Sequence, residues 1–153
     1  MSTLRIPYIP PEEYELKCVV SSPGGTGSLD VGLVGPAGAF SVVLDGWEPN
    51  AISGLHMLNG QAAASNETAY RNRIFADTDP KTIILSVLKD GVRVSVGNTP
   101  IISWKGEPSH LTFDDGAYRS VSDRRALFLG AWQGYRITKL ELTPITGQGK
   151  KLR

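Results

Sequence analysis

Paired carboxylates are the first chemistry that this sequence could supply. A retaining glycoside hydrolase needs two carboxyl groups about 5–5.5 Å apart. On a β-strand, residues i and i+2 share one face at about 6.5–7 Å, so such a pair needs closely spaced acids on one strand. The acids in strand-like segments stand alone, and these are Glu15, Asp30, Asp45 and Glu141. The sequence therefore leans away from an enzyme, and we predict no catalytic residues.

Two further acidic segments, 77–79 and 114–116, lie beside turn-forming residues. Pro80 follows the first segment at once and the second ends in glycine, so we predict that both are loops. Calcium prefers six to eight oxygen ligands, and the first segment offers two carboxylates. His56 and His110 are far apart, and no Cys or His spacing suggests zinc. We predict no metal site and no cofactor.

Other catalytic and modification motifs are weak. No serine stands in the strand–Gly-x-Ser-x-Gly–helix context of a hydrolase nucleophile. The glycine-rich segment 22–27 lacks a following Gly-Lys-Ser/Thr, so we interpret it as a flexible hairpin loop rather than a phosphate loop. Residues 66–68 form an Asn-Glu-Thr sequon, which we interpret as a polar loop. The only cysteine, Cys18, excludes an intrachain disulfide.

Aromatic residues beside polar ones are the remaining candidates for ligand contact. Sugars stack their C–H faces on aromatic rings, while neighbouring polar groups bind the hydroxyls. Trp47 lies in a Gly/Pro-broken bend, and Trp132 stands at a predicted strand end. If the protein binds a glycan, we expect Trp47 or Trp132 to stack against the ring. Packing is the alternative for both, and it is the preferred interpretation for Trp104, which ends an apolar run.

Four polar residues near these tryptophans would supply hydrogen bonds to a glycan. They are Asp45, His56, Asn59 and Gln133. The alternative for His56 is a hydrogen-bonded position at the edge of the core, since it shares a strand face with Leu58.

Strands must position these residues, because helical periodicity is nearly absent. Glycine (17) and proline (10) divide the chain into short runs rich in Val, Ile, Leu and Thr. This spacing is typical of an all-β sandwich or barrel, with about ten to thirteen strands of ordinary length. The 153 residues suit one domain, 1–153, with an ordered core over 8–146.

The clearest strands lie in three regions. Residues 14–20 alternate, which places Cys18 in the core as a small hydrophobe. Residues 82–104 predict a three-stranded meander with a hairpin at Asp90-Gly91 and Pro100 on an edge or at a strand start. Residues 126–132 predict a strand covered on both faces. The phase slip after Ile137 predicts a β-bulge that returns Leu140 and Leu142 to the buried face.

Charge and hydropathy limit the partners and the compartment. The formal net charge of +1 carries no basic stripe, so we expect no nucleic-acid binding. The basic residues at 150–153 are expected to be a frayed tail within a polar segment, 147–153. No apolar run approaches the ~20 residues of a membrane span, and the N-terminus lacks the apolar run of a signal peptide. A full-length chain is then expected in the cytoplasm, whereas an excised domain could come from an exported protein.

Three ordered motifs carry a family resemblance over about residues 8–146. They are PPEEYEL at 10–16, D-G-x-x-x-x-V at 90–96 followed by I-x-W-x-G at 102–106, and L-F-L-G at 127–130 followed by Y-x-I-x-x-L-x-L at 135–142. In these the chain resembles the concanavalin A-like lectin/glucanase jelly rolls. It is most similar to bacterial domains of unknown function, of the planctomycete type, related to 3-keto-disaccharide hydrolases.

This resemblance implies a jelly roll of two curved antiparallel sheets whose concave face and rim loops often meet carbohydrate. The Glu-x-Asp-x-x-Glu strand of laminarinase-like members is missing here. We therefore predict a non-catalytic, two-layered antiparallel β-sandwich that binds carbohydrate weakly. A structural or oligomerising domain is the second hypothesis, because residues 39–44 and 82–88 are apolar on both faces. Partners would then be a second copy or covalently linked neighbouring domains. A sugar hydrolase is the third hypothesis.

Overall fold

A computed structural model describes residues 2–24, 27–113 and 123–152, and in these residues it has twelve strands and two short 3-10 turns. The strands are β1 (Ser2–Ile6), β2 (Tyr8–Ile9), β3 (Glu13–Ser21), β4 (Leu29–Gly35), β5 (Gly38–Gly46), β6 (Ile52–His56), β7 (Lys81–Leu88), β8 (Gly91–Val96), β9 (Thr99–Lys105), β10 (Leu127–Ala131), β11 (Arg136–Thr146) and β12 (Lys150–Lys151). The 3-10 turns span Ala63–Ser65 and Pro108–His110.

The strands form two five-stranded antiparallel sheets. Sheet 1 has the order β1-β10-β4-β5-β6, and sheet 2 has the order β11-β3-β7-β8-β9. The sheets face each other, with β4 in contact with β7 and β6 in contact with β9. Strands β12 and β2 form a small third sheet. The predicted all-β, two-layered antiparallel sandwich is confirmed.

Alternating apolar residues of both sheets meet in the core. On β3, Leu16 and Cys18 are each 1% exposed, as the alternation predicted. Burial raises the pKa of the Cys18 thiol to about 12, because a thiolate there would be cut off from water. Trp104, on β9, is also part of the core, so its predicted packing role is confirmed.

The meander predicted over residues 82–104 is confirmed as β7, β8 and β9. Lys89 and Asp90 form the turn between β7 and β8, and Leu88 pairs with Gly91 at its base. Pro100 lies in β9, the edge strand of sheet 2, which has a neighbouring strand on one side only, as predicted for a proline in a sheet.

The hairpin predicted over residues 22–27 is wrong. β3 belongs to sheet 2 and β4 to sheet 1, so the two strands do not form a hairpin; residues 25 and 26 of the segment between them lie outside the described residues. The segment after β10, with Gln133 and Gly134, crosses from sheet 1 to β11 in sheet 2. Strand periodicity sets which face of a strand is buried, but it does not determine which sheet the next strand joins.

The bulge predicted in the last long strand is confirmed by a register shift between Ile137 and Lys139. Leu140 then pairs with Cys18 and lies on the core face. It stays 38% exposed, because β11 is the edge strand of sheet 2 and has no further strand beside it.

The C-terminal residues differ from the predicted frayed tail. Lys150 pairs with Ile9 and Lys151 with Tyr8, and the Leu152 N–H donates to the Pro7 carbonyl at 2.9 Å. A few basic residues carry no local signal for this pairing, which depends on a strand at the far end of the chain. Within the described residues, no helix is long and apolar enough to cross a membrane.

Candidate functional site

The bend between β5 and β6 holds three of the five described non-glycine residues with positive φ. Asp45, Trp47 and Ala51 have φ values of 52°, 54° and 50°, in the left-handed region. For residues with a Cβ this conformation costs about 1–2 kcal/mol each, so the surrounding structure must hold it. The Asn50 N–H closes the bend by donating to the Trp47 carbonyl at 2.8 Å. β5 and β6 pair antiparallel on either side of the bend.

Asp45 fastens this bend to a distant segment. Its side chain is buried, and its carboxylate accepts the N–H groups of Ile74 at 2.9 Å and Phe75 at 2.8 Å. Its own N–H donates to the Ser53 hydroxyl at 3.0 Å. Burial raises the pKa of the Asp45 carboxyl, and the two N–H donors oppose that rise. Asp45 therefore has a structural role at the base of the bend.

A salt bridge between Glu48 and Arg73 makes a second link between this bend and a distant segment, at the rim of the bend. The Arg73 guanidinium donates to both Glu48 carboxylate oxygens, at 2.8 and 2.9 Å, and to the Pro49 carbonyl at 3.3 Å. The Gly27 N–H also donates to Glu48, at 3.2 Å. The hydrogen bonds from Arg73 lower the pKa of the Glu48 carboxyl below its usual range. Glu48 is thus held ionised and in one orientation.

A cavity of about 550 Å³ opens above this bend. It is lined by Gly27, Ser28, Asp45, Trp47, Glu48, Trp132 and Gln133. The structure therefore brings together four residues that the sequence singled out from two distant segments: Asp45, Trp47, Trp132 and Gln133.

Strand register explains this convergence. Ala131 pairs with Leu29 across β10 and β4, and Leu29 pairs with Leu44 across β4 and β5. The next residue along each strand therefore falls in the same row. Trp132, Ser28 and Asp45 form this row, at the ends of the three inner strands of sheet 1. The Trp132 N–H continues the ladder by donating to the Ser28 carbonyl at 3.1 Å.

Both tryptophans of the cavity are substantially exposed. Trp47 is 40% exposed and Trp132 is 45% exposed, in contrast to Trp104 at 7%. Glycine at position 27 permits Gln133 to approach closely, because a Cβ there would lie 2.3 Å from the Gln133 Cγ. The cavity thus combines two aromatic walls with carboxylate and amide groups.

His56 lies behind Trp47 rather than on the cavity wall. It is 5% exposed, and its ring centroid is 5.7 Å from that of Trp47, with the planes tilted by 56°. On sheet 1 it pairs with Ser41. This buried position agrees with the core-edge alternative, and His56 does not line the cavity.

Asn59 does not join the other predicted site residues. It is exposed in the turn after β6, with φ of 52°, and its N–H donates to the His110 carbonyl at 2.9 Å. Residues 58–61 form a separate turn, closed by hydrogen bonds between Leu58 and Gln61. The sequence placed Asn59 near Trp47 because the two are close along the chain, but β6 carries it to another part of the surface.

The other candidate ligand groups take part in local hydrogen bonds. Asp77 accepts the N–H of Asp79 at 2.9 Å and the Lys81 ammonium at 2.8 Å, and Lys81 lowers the pKa of its carboxyl. Among residues 2–24, 27–113 and 123–152, no group of three or more His, Cys, Asp or Glu residues could hold a metal ion. The acidic segment 114–116 lies outside the described residues.

The side chain of Asn66, the asparagine of the Asn-Glu-Thr sequon, also forms hydrogen bonds within the protein. The Asn66 amide donates to the carbonyls of Leu55 at 2.8 Å and Gln61 at 3.1 Å, and its oxygen accepts from the Thr68 hydroxyl at 2.6 Å. This segment is a polar loop, as predicted, and the hydrogen bond from Asn66 to the Leu55 carbonyl ties it to β6.

Sequence reasoning missed Glu48, Arg73 and the backbone donors at 74–75. Glu48 carried one usable signal, since an acid one residue from Trp47 in the same bend must share its surroundings. Arg73 carried none, because 25 residues separate it from Glu48.

No family model matches the chain, and no curated protein matches it. Solved structures with a similar fold include galectins. A tetrameric galectin from the ball sponge Cinachyrella aligns with a TM-score of 0.58 at 14% identity, over 92% of this chain and 99% of its own. The galectin LEC-6 of Caenorhabditis elegans aligns at 0.55 and 8% identity, over 94% and 90%. An ancestral congerin aligns at 0.54 and 10% identity, over 94% and 100%. The fold is a concanavalin A-like jelly roll.

Proposed function

We propose that this protein is a non-catalytic, lectin-like module that binds carbohydrate in the cavity between Trp47 and Trp132. The observation that carries the proposal is the exposure of both indole rings, at 40% and 45%, on the walls of one polar cavity. Burying either ring against a partner would remove apolar surface from water, a stabilisation that the free protein forgoes. A sugar fits this need because it has an apolar C–H face and a polar rim.

The polar groups suit a polyhydroxylated ligand. A carboxylate has about four lone-pair positions, and the hydrogen bonds to Glu48 from Arg73 and Gly27 use three. Glu48 therefore keeps capacity to accept a hydroxyl. The Gln133 amide can both donate and accept, as a sugar hydroxyl does.

The bend is organised before any ligand arrives. Asp45 ties its base to residues 74–75, and Arg73 ties its rim to Glu48. Binding to a site that is already ordered costs less conformational entropy than ordering a loop on association. The galectin fold is consistent with this role, since galectins are carbohydrate-binding lectins.

A glycan array followed by isothermal titration calorimetry tests the proposal. We expect affinity in the millimolar to high micromolar range, and we expect Trp47→Ala and Trp132→Ala each to weaken it at least tenfold. Ser103→Ala, on the outer face of sheet 2, is the matched control and should bind as the wild type does. No binding of any array glycan at millimolar concentration would exclude the proposal.

Self-association is a second candidate function, favoured by the open edges of both sheets. β1 and β11 are edge strands, and Leu4, Leu140 and Ile145 on them are 57%, 38% and 49% exposed. An apolar groove of about 340 Å³ lies between these edges, lined by Ile6, Tyr8, Leu16, Leu127, Leu140 and Leu142. Unpaired strand edges with apolar side chains are ready surfaces for pairing with a second copy.

Light scattering at several protein concentrations tests self-association. Leu140→Asp should shift an oligomer towards monomer, while Ser103→Ala should leave it unchanged. A wild type that stays monomeric at high concentration would remove this candidate. The sponge galectin of similar fold is described as tetrameric, which is a statement about that protein alone.

A relation to the 3-keto-disaccharide hydrolases stays a prediction. Asp45 and Glu48 both line the cavity, although Asp45 is only 1% exposed and its carboxylate is hydrogen-bonded at the base of the bend. Their hydrogen bonds to residues 74–75 and to Arg73 favour binding over proton transfer. Turnover of a panel of keto-sugars would support the hydrolase, and its absence at high enzyme concentration would remove it.

A further inference from the structure

We infer that the cavity between Trp47 and Trp132 selects a sugar that carries a protonated amine over neutral, N-acetylated and acidic sugars. This inference rests on the proposed function and names the ligand class of the same site. Its basis is the meeting of two exposed indole rings with the Glu48 carboxylate on the cavity wall and the buried Asp45 carboxylate next to it.

The charge of the cavity is one-sided. Among the described residues that line it, Asp45 and Glu48 are acidic and none is Lys, Arg or His. The guanidinium of Arg73 forms a bidentate salt bridge with the Glu48 carboxylate. Glu48 and Arg73 cancel, so Asp45, Glu48 and Arg73 together carry a net negative charge when Asp45 is ionised. A cation is the complement that this set lacks.

The aromatic walls favour the same charge. The face of an indole ring is negative, and tryptophan is the best of the aromatic residues at attracting a cation. Trp47 and Trp132 reach the cavity from separate segments, which allows two faces to contact one ligand. A protonated amino sugar offers a cation to these faces, and its C–H groups remain available for stacking.

Burial of Asp45 adds a third contribution. Desolvation raises the pKa of its carboxyl, so the charged form is poorly compensated by the two backbone N–H groups alone. An ammonium group within about 4–6 Å would favour the ionised carboxylate. Acidic sugars would meet the opposite situation, because their charge adds to that of Asp45 and Glu48. N-acetylation removes the cation and retains the bulk.

Matched disaccharides separate the effects of charge and shape. We would titrate the wild type with the glucosamine dimer, its di-N-acetylated form, cellobiose and the acidic disaccharide cellobiouronic acid at pH 6, following tryptophan fluorescence and amide NMR shifts. We expect the glucosamine dimer to bind at least tenfold tighter than the acetylated dimer and cellobiose, with no detectable binding of cellobiouronic acid. Raising salt from about 20 to about 300 mM should weaken the amine selectively, because screening acts on charge.

Two variants test the residues. Glu48→Gln should lower the affinity ratio of glucosamine dimer to cellobiose at least threefold, and Ser103→Ala should leave the ratio unchanged. The salt titration of the wild type gives the same information if Glu48→Gln fails to fold. Equal binding of the glucosamine dimer, its acetylated form and cellobiose would overturn the amine preference and leave carbohydrate binding intact. No dimer binding would overturn both, and tetramethylammonium as an added probe would then report whether the cavity binds cations without a sugar.

Discussion

The dipeptide Asp-Gly follows strand residues at two places in the part of the chain that the structure describes, and these two copies have opposite environments. Asp90-Gly91 lies in the exposed hairpin between β7 and β8, where the Asp90 side chain is 64% exposed. Asp45-Gly46 ends β5, where Asp45 is 1% exposed and holds the N–H groups of residues 74–75. The same letters thus make a solvated turn in one sheet and a buried anchor in the other.

The difference teaches that a turn motif predicts local geometry, whereas its energetic weight comes from what packs against it. In the hairpin, the backbone N–H and carbonyl groups of the two strands bond to each other, and the Asp90 side chain stays exposed to solvent. At the bend, residues 74–75 have no strand partner for their N–H groups, so a carboxylate serves instead. This substitution leaves a rim without a regular ladder, and the cavity opens there.

The largest expected contrast is between Asp45→Ala and Asp90→Ala. Asp45→Ala leaves two buried N–H groups without an acceptor, and each costs roughly 1–3 kcal/mol, so we expect a loss of about 2–5 kcal/mol of unfolding free energy. Asp90→Ala should cost less than about 0.5 kcal/mol. Urea unfolding followed by tryptophan fluorescence measures both. Equal losses would mean that Asp45 does not anchor the bend.

For the two glycines we expect the opposite order of stability loss, with Gly91→Ala more destabilising than Gly46→Ala. A Cβ on Gly91 would lie 2.6 Å from the Trp104 carbonyl oxygen, which belongs to the rigid backbone of β9. We expect Gly91→Ala to cost about 1–3 kcal/mol. A Cβ on Gly46 would lie 2.8 Å from the Val43 Cγ2, a side-chain atom, so Gly46→Ala should cost less. Unfolding midpoints compare the two, and a costlier Gly46→Ala would contradict this reading of the contacts.

The ion pairs beside the two dipeptides should differ by a smaller amount. Glu48 and Arg73 form a two-pronged pair with about a third of each side chain exposed, and a double-mutant cycle should give about 0.5–1 kcal/mol. Lys105 and Asp90 are 3.6 Å apart and mostly exposed, so their cycle should give below about 0.2 kcal/mol. Coupling of similar size in both pairs would show that the two-pronged geometry adds nothing.

The smallest effect is the pH dependence of the Glu48 pair. The folded-state pKa of Glu48 lies below its ordinary value of 4.5, so its stabilisation is present above pH 4.5 and is lost as the pH falls through the lowered value. Asp45 has the opposite sign, because its raised pKa favours the folded protein at acidic pH. The stability difference between wild type and Glu48→Gln should therefore shrink as the pH falls below 4.5. Urea midpoints from pH 7 to 3 measure it, and a constant difference would refute the assignment.

Local signals predicted the meander and the core face of the long strands. Asp90-Gly91 favours a tight turn in any context, and the alternation around Cys18 requires only neighbouring residues. The slip after Ile137 predicted a bulge, since a strand that breaks phase must gain a residue to keep its apolar face inward.

The candidate site was predictable only in part. Trp47 and Trp132 were identified by residue type, because exposed indoles beside polar groups are suited to ligand contact. Their meeting in one cavity was not predictable, since it depends on the pairing of β10, β4 and β5. Arg73 and the N–H groups at 74–75 were missed because backbone donors carry no mark in the sequence and the bonds span 25 to 30 residues.

The amino-acid sequence by itself determined that the chain forms short antiparallel strands with one buried face, because side-chain alternation and turn residues act within a few positions. Tertiary structure decided which sheet each strand joins, since the segments between β3 and β4 and between β10 and β11 resemble ordinary turns in sequence. It also decided that Asp45-Gly46 became an anchor and Asp90-Gly91 a surface turn. The physical reason is that burial, and hence the strength of a carboxylate's hydrogen bonds, is set by neighbours that are distant along the chain.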